Sequence, residues 1–123
     1  MLASFGSWTA RTTSSSEQQE LERGLGLIDD GAYFEAHEVL EDLWRPAPAE
    51  ERDFYQGLVH VAVAWHHAGR GNRPGFERQL AKAARRLRPY TPTHRGVDIA
   101  DLLTQIESAS FATLVPVRVN RSA

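Results

Sequence analysis

No cysteine occurs in this chain, which excludes disulfides and thiolate ligands and leaves His, Asp and Glu to build any metal site. Charge of one sign is not in excess either. Fourteen Lys and Arg stand against 16 Asp and Glu, a net charge of −2, so nothing draws the whole molecule to nucleic acid or anionic lipid. Long apolar runs are also missing. The opening MLASFGSWTARTTSSSEQQ has no secretory core, and nothing later approaches the ~18 apolar residues of a membrane span. The expectation is a soluble, cytoplasmic protein without a membrane contact. What is present is 41% hydrophobic content over 123 residues, one domain's worth, enough to bury roughly two thirds of the unfolded chain's surface.

The Ser/Thr run Thr12 to Ser16 is too polar to pack, so residues 1–16 read as a flexible tail, with Ser16 placed to cap the first helix. That helix is expected from about Glu17 to Ile28, with Leu21, Leu25 and Ile28 on one face. Asp-Asp-Gly at 29–31 ends it. A second helix fills GAYFEAHEVLEDLWR and stops at Pro46 and Pro48, and a third opens at Ala49 or Glu50 and runs to Ala68 or Gly69. After GRGNRPG a fourth is expected from Pro74 to Leu87 and, past the loop PYTPTHRG, a fifth from Val97 to Ser110. The β-branched alternation of FATLVPVRVN is interrupted by Pro116, which favours an extended strap over a paired strand. No strand pairs are in sight. The fold class is therefore all-α, a single-domain antiparallel bundle of four to five helices with short loops over 17–111 and an extended C-terminal tail over 112–123.

On a wheel of 100° per residue, Ala36, Val39, Leu40, Leu43, Tyr33 and Trp44 of the second helix fill one arc, with Glu35, Glu38 and Asp42 opposite. His37 and Glu41 belong to neither group. They lie on the shoulder of the buried arc at i and i+4, within reach of each other or of one shared ion. Tyr33 and Phe34 read as core. The third helix is apolar nearly all round, as a central helix must be, except for Gln56, His60 and His67, which fall on one narrow stripe while His66 points about 100° away. Unpaired, such buried groups cost about 1–3 kcal/mol each, so the stripe should face water or other polar groups, and His37 and Glu41 are candidates.

At these residues the chain resembles a known family. YFEAHEVLEDLW followed by FYQGLVHVAVAWHHAGRGN is similar to the bacterial and archaeal family catalogued as domain of unknown function 309, whose marker His-x-x-x-Glu-x-x-Trp/Tyr is matched by His37, Glu41 and Trp44. The resemblance spans roughly Leu21 to Ile106. It implies a small all-helical protein with a metal-binding marker and the activity of a metal-dependent hydrolase on an unspecified small-molecule substrate.

Two imidazoles and a carboxylate suit a divalent Zn, Mn, Fe or Ni, with open positions for water or substrate. The stripe makes His67 the expected third ligand beside His37 and Glu41, with His66 as the alternative. Gln56 and His60 would then act behind the ligands, and Trp44 would either wall the pocket or serve as a core aromatic. No residue can be assigned a catalytic step from the sequence. A rival class of function comes from charge placement. Residues 70–95 hold eight basic residues and one acid, whereas 17–53 hold twelve acids and three arginines. Arg78, Lys82 and Arg85 on the fourth helix form a basic face for an anionic ligand or an acidic protein partner. Nucleic acid is disfavoured there, because no aromatic is interleaved for stacking. The rival reading is a non-catalytic helical interaction module, and a homo-oligomer is compatible with either.

Overall fold

The computed structural model describes residues 2–122, with side chains from Ser16 onward. Five helices succeed one another: α1 Leu2–Asp29, α2 Tyr33–Trp44, α3 Ala49–Gly69, α4 Arg73–Leu87 and α5 Ile99–Ser108. Each boundary has a local cause. Gly31, at φ +80°, takes the left-handed turn between α1 and α2. Pro46 and Pro48 separate α2 from α3, and Pro48 sits extended just before α3 begins. Asn72 caps α4 by accepting from the Gly75 amide at 3.0 Å, and Asp98 caps α5 by accepting from the Asp101 amide at 2.9 Å.

α3 is the central element, flanked by α2 and α4, with α1 against α2 and α5 against α4. Its apolar circumference comes from that position: Phe54, Leu58, Val61, Ala62 and Ala64 are fully buried. Leu21, Leu25 and Ile28 of α1 join the same core, as their spacing predicts. The C-terminal segment is an extended strap. It buries Val117 and Val119, gives the Val119 amide to Asp29 Oδ1 at 2.7 Å, and receives the Trp65 indole N–H on the Val115 carbonyl at 3.0 Å. The all-α bundle with short loops and a strap is thus the observed architecture, and no helix among the described residues is long and apolar enough to cross a membrane.

Three expectations need correction. α1 starts ahead of Glu17, and Ser16 lies inside it rather than capping it; no proline interrupts the Ser/Thr run, and the propensity penalty of such residues is only a few tenths of a kcal/mol each. How side chains of the segment 1–15 pack lies outside the described residues. A strand pair does exist, a two-residue antiparallel hairpin of β1 Thr93–His94 and β2 Val97–Asp98. Its tight turn is made by Arg95 and Gly96, both at positive φ, and the strap touches it through a bridge from Val97 to Arg121. The hairpin also delays α5 to Ile99. Finally, Phe34 is 54% exposed, not core: it stands on the shoulder of α2, one turn before His37.

Candidate functional site

The ridge of α2 presents His37 and Glu41 side by side, Nε2 to Oε2 at 2.8 Å, both partly open to solvent. The Phe34 ring lies 5.6 Å, centroid to centroid, from the His37 ring and 5.6 Å from the His66 ring of α3. Phe34, His37, Val63 and His66 enclose a small cavity of about 120 Å³ between the two helices. His66 is therefore the α3 imidazole on the α2 side. Burial pushes its pKa down, and the neighbouring Arg70, His67 and His37 act in the same direction.

The polar stripe of α3 faces the other way. His60 gives its Nδ1 proton to Gln79 Oε1 of α4 at 2.6 Å, leaving Nε2 buried without a partner. His67 accepts at Nδ1 from the Asn72 amide at 3.2 Å, and it lies so close to the start of α4 that a Cβ on Gly75 would come within 2.9 Å of its ring. Gln56, half-buried, precedes His60 by one turn. The same side of α3 carries Asp53, paired to Arg86 at 2.6 Å, and Gly57, whose missing side chain admits Leu87. The stripe does find polar partners, but on α4. The ligand set His37, Glu41 and His67 is not assembled, and among the described residues no three His, Asp or Glu side chains converge as an ion would require. Trp44 is half-buried against the core, does not line the His37 cavity, and carries the Arg52 guanidinium over its ring at 4.9 Å.

Arg78, Lys82 and Arg85 are exposed along α4, as their spacing predicts. A charged cluster that pattern reading misses lies at the start of α3. Glu51 accepts from His94 Nε2 at 2.9 Å and from Arg95 Nε, and the His94 ring also packs edge-on or tilted, 4.7 Å centroid to centroid, against both Phe54 and Tyr90. Burial alone would raise the Glu51 carboxyl, but the hydrogen bonds and charges of Arg95 and His94 outweigh it and hold the carboxyl below its ordinary value. The available signal was His-Arg-Gly at 94–96, a hairpin turn that brings an imidazole and a guanidinium to one end of the bundle.

The chain is similar in sequence to known proteins over its helical part. The chain is 37% identical over 67 residues to the uncharacterized protein YpuF of Bacillus subtilis, which covers 54% of this chain and 37% of that protein. It is 26% identical over 94 residues to an uncharacterized protein of Aquifex aeolicus, covering 76% of this chain and 28% of that one. The chain thus spans about a third of the length of these relatives. A family model, Domain of unknown function (DUF309), matches residues 21–79, from α1 into α4, and takes in His37, Glu41 and Trp44, the residues that carry the resemblance.

Proposed function

We propose that His37 and Glu41 are the protein's part of a weak site for one divalent transition ion, with His66, and not His67, as the neighbour that completes it. The observation that carries this reading is the His37–Glu41 contact at 2.8 Å beside a cavity shared with His66. The donors suit Zn, Mn, Fe or Ni by type. Their arrangement is incomplete as it stands, because the Phe34 ring touches both imidazoles and must swing aside for His66 to join. Phe34 is exposed on the first turn of α2, so that motion meets little packing. An ion there would supply the Lewis acidity that a metal-dependent hydrolase uses; the chain's own residues supply its seat and an aromatic flap.

Calorimetric titration of untagged protein with zinc, manganese, iron(II) or nickel tests this. Wild type should take up about one equivalent of a transition ion, His37→Ala should lose at least ~10-fold in affinity, as removal of a ligand does, His66→Ala should lose less, and His67→Ala should be unchanged. A loss confined to His67→Ala, or the same weak uptake by all four proteins, overturns the reading.

A second reading rests on a different observation. Arg73, Arg86 and Arg88 all find carboxylates, whereas the exposed Arg78, Lys82 and Arg85 have no ion-pair partner among the described residues. They are spaced at i, i+4 and i+7, a continuous cationic stripe on the outer side of α4. This favours a non-catalytic module that docks an acidic protein. Retention on an anionic resin at ~50 mM salt, lost when the three are changed together to Glu, is the expected result, since such contacts are screened by salt. No retention of the wild type removes this reading.

A further inference from the structure

A larger space than the cavity beside His37 is an open cleft of about 520 Å³ between the start of α2 and the end of α3. Tyr33, Phe34, Trp65 and His66 line it together with Glu35 and Arg70. The indole N–H of Trp65 is already given to the strap, so what Trp65 offers the cleft is apolar surface. Arg70 and Glu35 are the only full charges on the lining. Both are exposed, and neither enters an ion pair with any described residue. A cleft lined by aromatic residues with one unpaired cation and one unpaired anion is complementary to a small molecule that joins an apolar group to a head bearing both charges.

From this juxtaposition we propose that the cleft binds a zwitterionic amino acid with an apolar side chain, its carboxylate on Arg70, its ammonium toward Glu35 and its side chain against Tyr33, Phe34 and Trp65. A guanidinium is the fitting partner for a carboxylate because its planar fork donates two parallel hydrogen bonds. Glu35 decides against a dianion such as a phosphate monoester, which it would repel, and favours a ligand with no net charge. The aromatic walls add both contact area and a favourable surface for an ammonium group. Neither Arg70 nor Glu35 belongs to the ion site proposed above, so this binding does not require an ion.

The test uses the full chain with a chelator present, which separates it from the ion reading. L-Phenylalanine, 3-phenylpropionate, phenethylamine and benzyl alcohol are titrated while the amide signals of Tyr33, Glu35 and Gly69 are tracked by NMR. L-Phenylalanine should give a saturable shift, and each molecule lacking one charge should bind about two- to fivefold more weakly, the size expected for one solvent-exposed ion pair. Arg70→Gln should abolish the preference for L-phenylalanine over phenethylamine, and Glu35→Gln the preference over 3-phenylpropionate. Both positions are on the surface, so the fold is kept. No saturable shift by ~10 mM, tenfold beyond a millimolar constant, overturns the proposal, as does benzyl alcohol binding as well as L-phenylalanine or a ranking unchanged in both variants.

Discussion

His60 gives a proton to Gln79 and keeps a bare nitrogen inside the α3–α4 seam. Burial pushes its pKa down, and Arg86, Lys82 and Arg85 push it the same way, against the Gln79 hydrogen bond, which raises it. A histidine whose folded pKa lies below the unfolded one is protonated first in the unfolded chain, so stability falls as pH drops through the ordinary histidine range and levels off below the folded pKa. His60→Gln should remove that part of the slope, read from urea midpoints at about pH 7.5 and about pH 5. Glu51 works in a lower window. Its folded pKa is depressed, so its contribution is present above the ordinary carboxylate range and is lost as pH falls through the folded value. Glu51→Gln should cost about 1.5–3 kcal/mol near neutrality, the range for hydrogen bonds to charged groups. The gap to wild type should close in acid. A gap that persists there would mean that Glu51 acts through packing and not through its charge.

Between elements, two glycines make opposite predictions. A Cβ on Gly57 of α3 would fall 2.6 Å from Leu87 of α4, so Gly57→Ala must push the central pair of helices apart, at a cost of about 1–3 kcal/mol. Gly26 in α1 has nothing within 4 Å of its Cβ position, and Gly26→Ala should stabilise by about 0.5–1 kcal/mol through helix propensity alone. Thermal unfolding of the two variants should move in opposite directions. The same seam explains what the sequence could and could not disclose. The breaks between α1, α2, α3 and α4 were legible because Gly31, Pro46, Pro48 and the GRGNRPG turn act locally. The stripe of Gln56, His60 and His67 was legible as a direction on one helix, but a wheel does not say which neighbour lies in that direction. Gln79 of α4 and Asn72 at its cap partner His60 and His67, and His66 is the imidazole that lies toward α2. The two-residue hairpin fell below any periodicity, being fixed by a turn and by the strap rather than by alternation.

Across the whole molecule, the strap joins parts that are far apart in sequence. Arg121 reaches Glu22 at 3.0 Å and Asp29 at 3.5 Å, Gln105 holds both the carbonyl and the amide of Arg118, and Asp29 takes the Val119 amide. Asp29→Ala should leave that amide without an acceptor beside a buried valine and cost about 1–3 kcal/mol in denaturant unfolding. These ties also bear on the order of events in time. A contact between Asp29 and Val119 closes about three quarters of the chain into one loop, and such closure becomes favourable only after the helices between have formed. The strap should therefore dock after the folding barrier has been crossed. Val119→Ala would then raise the unfolding limb of a chevron plot and leave the refolding limb where it was, so that a few residues at one end of the chain govern how long the folded state lasts and have little part in how quickly it is reached.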